Sequence, residues 1–204
     1  MTVQTGRYHN KLVSAEKAVK IVKSGDYVDY NFCLAQPVAL DMALAKRVDE
    51  LCGVMVRGAM RMLPLHIVDA DPTGEHFSYA SWHLTGLERK LCDAGRCTHI
   101  PMVYRNMPLF YRKSLDVDVA LFSVPPMDDD GYFSCSLTNS ATRAIVEKAK
   151  HVVLEVNEKL PPVRHGRENS IHISEVTICP ALCSTTKNCL HASANARIAL
   201  YGNG

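Results

Sequence analysis

From Ser14 onward, apolar positions recur in two alternating periods, one of helices and one of strands. Ser14 can cap a helix in which Ala15, Ala18, Val19 and Val22 fall at i, i+3, i+4 and i+7, and Gly25 in "KSGD" stops it. "YVDYNF" then reads as a strand, and Pro37 suits the first turn of a helix lined by Leu40, Leu44 and Val48. "VMVRGAM" supplies the next strand, so this part is a β-α-β unit on a parallel sheet. "HFSYASW" is strand-like, Leu84 to Cys92 helical, "CTHIPMVY" extended and "MPLFYRKSL" a short helix or turn. "DVALFSV" follows as a buried strand, "DDDG" as a turn, "YFSCSL" as a returning strand and "SATRAIVEKAK" as a helix. "HVVLEVN" closes the series with the near-continuous hydrophobicity of a strand covered on both faces. The alternation predicts an α/β fold, with Asp130-Gly131 turning a local antiparallel hairpin.

Composition narrows the function classes. The 204 residues are 47% hydrophobic and 22% charged, enough for one substantial α/β domain. A formal charge of +2 comes from interspersed charges without a basic block, which argues against a nucleic-acid partner. No segment approaches the roughly eighteen uninterrupted apolar residues of a membrane helix, so no membrane partner is expected and the cytoplasm is the expected compartment. Cys33, Cys52, Cys92, Cys97 and Cys135 lie scattered without a disulfide framework and read as reduced thiols. The segment Thr177 to Gly204 contains no Asp or Glu, although the rest of the chain holds all 21. At ordinary acid frequency about three would be expected there. The division is therefore residues 1–176 as a domain and 177–204 as an atypical tail, read as a frameshift or a truncation.

Two stretches carry candidate chemistry. "FCLAQPVALD" runs from a strand through a small-residue turn into a helix, where backbone N–H groups can face a ligand. It has neither a Walker pattern nor G-x-G-x-x-G, so the reading is that Gln36 and nearby amides polarise a carbonyl or hold a carboxylate. "VPPMDDDGYFSCSLTNS" sets two prolines, an acidic turn at Asp128 to Asp130 with Gly131, and Ser134, Ser136 and Asn139 beside it. "GEHFSYASWH" lacks H-E-x-x-H spacing, and Cys179, Cys183, Cys189 and His191 match no common zinc finger; no metal is expected.

Taken in order, "YVDYNFCLAQPVALDMALAKR", "GEHFSYASWHLTGLERKL", "VDVALFSVPPMDDDGYFSCSLTNSATRAIVEKAKHVVLEVNEKLP" and "IHISEV" resemble the N-terminal half of the acetyl-CoA hydrolase/transferase family. The likeness runs from about Tyr8 to Val176 and is strongest toward its butyryl-CoA:acetate and 4-hydroxybutyrate CoA-transferases. The resemblance implies a three-layer α/β/α half of NagB/RpiA-like type, with a mostly parallel sheet plus a β-hairpin.

The resemblance also implies an activity: moving CoA from a short-chain acyl-CoA, butyryl- or 4-hydroxybutyryl-CoA, to acetate. In that family a glutamate carboxylate attacks the thioester, giving an anhydride and then a glutamyl-CoA thioester. The nucleophile belongs to the second half, so no catalytic residue is assigned in this chain, which is expected to be inactive alone. The coenzyme A thioester is a substrate, no metal or redox cofactor is implied, and the full-length form is expected to be a homo-oligomer. Gln36 and Pro37 resemble one wall of the acyl-CoA pocket. Pro126, Met127, Asp128, Gly131, Ser136 and Asn139 resemble the other, where Pro125 stands at a position at which a serine is common. The second reading of the same match is a non-catalytic acyl-CoA-binding or dimerising module.

Overall fold

The computed structural model describes residues 3–163 and 166–180. The chain opens with α1 (Val3–Lys11), the two-residue β1 (Leu12–Val13) and α2 (Ala15–Ala18). Ser14 Oγ accepts the Lys17 N–H and caps α2, which passes into a 3-10 turn at Val19–Ile21. Strand β2 (Tyr27–Phe32), helix α3 (Val38–Ala45) and strand β3 (Val54–Ala59) form the expected β-α-β unit. Helix α4 (His66–Ala70), β4 (Phe77–Ser81), α5 (Gly86–Asp93) and β5 (Thr98–His99) continue outward on the same side. Helix α6 (Met107–Lys113) returns the chain to β6 (Val117–Val124), beyond which come β7 (Tyr132–Phe133), α7 (Thr142–Lys148) and β8 (Ala149–Val156). Strands β9 (Ile171–His172) and β10 (Cys179–Pro180) complete the described residues.

The main sheet has six strands in the order β5-β4-β3-β2-β6-β8, all parallel. Helices cover both faces because successive side chains of a strand point to opposite sides. Leu121 and Phe122, neighbours on β6, show the division: Leu121 packs with Tyr30, Leu40, Leu44 and Ile67, and Phe122 with Phe32, Tyr111, Ile145 and Leu154. Each such fully buried side chain contributes about 2 kcal/mol of transfer free energy. Three layers, α/β/α, are the result.

Two expectations are corrected. The antiparallel hairpin does not form between β6 and the "YFSCSL" stretch, because β6 is already paired on both edges, with β2 and with β8. Its turn is present, with Gly131 N–H donating to the Asp128 carbonyl, but β7 pairs antiparallel with β9 instead. Nor does the fold stop at Val176. Thr177 N–H donates to the Val152 carbonyl, Leu154 N–H to the Ile178 carbonyl, Cys179 is fully buried, and β10 runs parallel to β1. Apolar side chains at Ile178 and Cys179 serve the core whatever the local count of acids.

Candidate functional site

The strand order reverses between β2 and β6. The chain winds outward from β2 through β3 and β4 to β5, then crosses back to β6 and β8 on the other side. In open parallel sheets, the crevice at the carboxyl ends of two such strands is where ligands bind. The Cys33–Gln36 turn leaves the end of β2 and the Pro125–Gly131 loop leaves the end of β6, so both stretches singled out in the sequence meet there. Backbone strain gathers at the same rim. Asn31, Cys33 and Met60 have φ of 56°, 46° and 54°, left-handed conformations that disfavour a side chain. Cys33 Sγ lies 3.7 Å from Met60 Sδ across the ends of β2 and β3.

Buried polar groups hold these strand ends. The Arg61 guanidinium folds back to the carbonyl oxygens of Asn31 and Ala59, with Gly58 leaving room where a Cβ would stand 3.3 Å from it. Glu88 accepts from the Tyr79 and Ser81 hydroxyls, both at 2.8 Å, and from the N–H groups of Thr85 and Arg61. With Thr85 Oγ1 it closes a capping box at the start of α5. Asn31 Nδ2 donates to Thr142 Oγ1 at 2.9 Å, tying the end of β2 to α7.

The sequence-derived residues divide in two. Gln36 is buried, and its amide is used within the fold: Nε2 donates to the carbonyls of Leu63 and Pro64, and Oε1 accepts the Leu63 N–H. It braces the two turns that follow β2 and β3. Pro37 stands at the N-cap position of α3 without a capping side chain. The cap comes from elsewhere: Leu40 N–H donates to Glu155 Oε2 at 3.0 Å, so a carboxyl from β8 fills the place a bound anion would take.

On the opposite wall, Pro126 is exposed and Met127 half-buried against the core. Asp128 Oδ1 accepts the N–H groups of Asp130 and Tyr132, and Oδ2 pairs with Arg167 Nη1 at 2.7 Å. Partial burial alone would raise the Asp128 carboxyl; the Tyr132 N–H and Arg167 outweigh it and hold it below the usual carboxylate range. Arg167 also lies over the Tyr132 ring at 4.2 Å and pairs with Asp130, clasping the turn that Gly131 permits with φ of 88°. Ser136 is buried, with Oγ donating to the Pro161 carbonyl, and Asn139 is half-buried before α7.

The sequence reading missed Ser123 and Glu155, both buried near the carboxyl ends of β6 and β8. Ser123 Oγ lies 2.8 Å from Glu155 Oε1 and 3.0 Å from the Gln36 carbonyl oxygen. Burial pushes the Glu155 carboxyl up to about 7, against the lowering effect of N–H groups from Leu40 and Ala39 and of Ser123. The available signal was one acid inside the otherwise apolar run "HVVLEVN". Among the described residues no three His, Cys, Asp or Glu side chains converge as a metal cage, and six described cysteines are free thiols. Cys183, Cys189 and His191 lie outside the described residues.

A parallel three-layer α/β unit with a strained, polar-braced crevice at its switch point is the class that fold and site define. Residues 1–182 match the acetyl-CoA hydrolase/transferase N-terminal domain, and the chain belongs to that family. It is 45% identical over 170 residues to the butyryl-CoA:acetate CoA-transferase of Anaerostipes caccae, covering 83% of this chain and 38% of that protein. To the 4-hydroxybutyrate coenzyme A transferase of Clostridium kluyveri it is 33% identical over 172 residues, covering 83% and 39%. The crystal structure of RipA from Yersinia pestis superposes with a TM-score of 0.79 at 26% identity, covering 89% of this chain and 44% of that one. The chain thus spans well under half the length of these relatives.

Proposed function

We propose that this chain is the first α/β unit of a CoA-transferase that moves CoA from a short-chain acyl-CoA, butyryl- or 4-hydroxybutyryl-CoA, to acetate. The observation that carries this reading is the 45% identity to a butyryl-CoA:acetate CoA-transferase, held over 83% of the chain. In this reading a glutamate outside the chain attacks the thioester and carries CoA as a glutamyl thioester, which divides one difficult exchange into steps of similar energy. The two buried glutamates near the strand ends are suited to scaffolding, since both oxygens of Glu88 and of Glu155 are engaged within the fold. The crevice between the Cys33–Gln36 turn and the Pro125–Gly131 loop then forms one wall of the acyl-CoA pocket. The thioester and the carboxylate are substrates and the chemistry asks for no resident cofactor. A cytoplasmic, homo-oligomeric full-length enzyme fits this use of acyl-CoA. No helix among the described residues is long and apolar enough to cross a membrane.

The test is transfer of CoA from butyryl-CoA to isotopically labelled acetate, with the chain alone and with the second half of the Anaerostipes caccae relative supplied separately. Exchange appearing only with the second half supports the reading. Butyryl-CoA binding by calorimetry with no exchange in either case points instead to an acyl-CoA-binding module. Absence of both binding and exchange removes the functional reading.

A further inference from the structure

Ser123 on β6 and Glu155 on β8 face the Gln36 carbonyl from beneath the switch point. A serine hydroxyl carries one proton, and two oxygens lie within hydrogen-bond distance of Ser123 Oγ. With Glu155 ionised, both are pure acceptors, so one buried oxygen goes without a hydrogen bond at this serine. With Glu155 neutral, its carboxyl proton is donated to Ser123 Oγ and the serine proton to the Gln36 carbonyl, and both contacts become hydrogen bonds. Glu155 Oε2 accepts the Leu40 N–H in either state.

Charge around the group favours the same state. Among the described residues, the titratable groups that act on Glu155 are Asp41 on α3 and the Tyr30 hydroxyl on β2, and Tyr30 itself donates to Asp41 at 3.1 Å. Neither brings positive charge. Glu88 is the contrast in geometry, because four donors, the Tyr79 and Ser81 hydroxyls and the Thr85 and Arg61 N–H groups, converge on its two oxygens. Burial acts in the direction the proton count requires, raising the Glu155 carboxyl to about 7.

We propose that Glu155 is a positioning residue held as a neutral acid, whose proton completes a relay through Ser123 to the Gln36 carbonyl and fixes the Cys33–Gln36 turn. On ionisation the Glu155 proton leaves to solvent, the serine proton turns to the new carboxylate, and the Gln36 carbonyl loses its hydrogen bond. The turn is then held only by its other contacts. The relay stands on geometry alone; its consequence for acyl-CoA binding rests on the proposed function.

The experiment follows the carboxyl and the turn separately in the full chain. Carbon-13 NMR of protein labelled at the glutamate carboxyl, from pH 5 to 9, is expected to show one resonance titrating near neutrality and absent in Glu155→Gln. Hydrogen exchange over residues 33–40, corrected for intrinsic rates, is expected to lose protection several-fold between pH 6 and pH 8 in the wild type. Glu155→Gln, whose amide donates permanently to Ser123, is expected to keep its protection. If Glu155→Gln does not fold, Ser123→Ala serves to assign the resonance by displacing its midpoint. A Glu155 carboxyl already ionised at pH 6 overturns the proposal, as does a resonance that titrates while the turn's protection stays constant. Butyryl-CoA calorimetry at pH 6 and pH 8 separates the two readings. Weaker binding at pH 8 that Glu155→Gln restores supports gating by the relay. Equal binding at both pH values alongside a titrating relay overturns gating, and no binding at either pH overturns the functional reading while the relay stands.

Discussion

The Leu40 N–H donates to Glu155 Oε2 at 3.0 Å across 115 positions of sequence, so helix α3 is capped in trans by a strand on the far side of the switch point. A helix start that could have received an anion from solution is occupied from within. The same carboxyl reaches Ser123, which joins the turn after β2, the start of α3, β6 and β8 into a single hydrogen-bonded unit. Its properties lead to measurable consequences.

Stability should fall as pH rises from 5 to 8. Burial raises Asp29 and Asp41 to about 6 and Glu155 to about 7. A raised carboxyl contributes stability that is complete below its unfolded value near 4 and is lost as pH climbs through its folded value. Asp71, Asp118 and Glu147 are lowered and act oppositely, losing their contribution as pH falls through the acid range. Thermal melts should therefore peak at about pH 4 to 5. In Glu155→Gln the loss of Tm between pH 5.5 and pH 8 should shrink by roughly 3 °C or more. An unchanged slope in the variant would show that Glu155 does not carry it.

Gln36→Ala should destabilise the fold by about 1–3 kcal/mol, because it leaves the Leu63 N–H and two loop carbonyls without their partner. Denaturant unfolding measures this directly. A variant of wild-type stability that binds butyryl-CoA more weakly would instead give the Gln36 side chain a direct role toward ligand.

Arg57 and Asp29 form a buried ion pair at 3.1 Å, with Tyr111 donating to the other carboxylate oxygen at 2.8 Å. Arg57→Met should cost about 3–5 kcal/mol, since it strands an acid under the sheet. Adding Asp29→Asn to it should recover a large part of that loss in equilibrium unfolding. Equal losses in the single and double variants would contradict a coupled pair.

The clasp on the acidic turn should behave differently. Arg167 and Asp128 are both about half exposed, at 52% and 48% of the side chain, so Arg167→Ala should change stability by no more than about 1 kcal/mol. Gly131→Ala forces a side chain into φ of 88° and should cost more, about 1–2 kcal/mol. Unfolding curves of the two variants in one buffer test the order, and the reverse order would mean that charge rather than backbone conformation holds the turn.

Much of the scaffold was legible because periodicity reports burial. The strand "YVDYNF", the helix after Pro37 and the strand "DVALFSV" appear at β2, α3 and β6 within a residue or two. Helix α4 was not legible: five residues between Pro64 and Pro72 are too few to show a period. "YFSCSL" carries a strand pattern, yet only Tyr132–Phe133 forms one, because pairing depends on a free neighbouring edge and β6 has none. Of the candidate site, the turn after β2 and the loop after β6 were found from their small residues and prolines. The use of Gln36 as a brace was not, since an amide's partners are set by where two loops meet.

The sequence alone determined the alternation of strands and helices, the parallel β-α-β start and the family, because each depends on local order of residue types along the chain. Tertiary structure decided which strands are neighbours, that Thr177 to Pro180 pair with β8 and β1, and that Glu155 reaches Ser123 and Leu40. These outcomes depend on long-range pairing and on the burial of polar groups, which place a carboxyl next to a hydroxyl far from it in sequence. The proton between them is a property of that meeting.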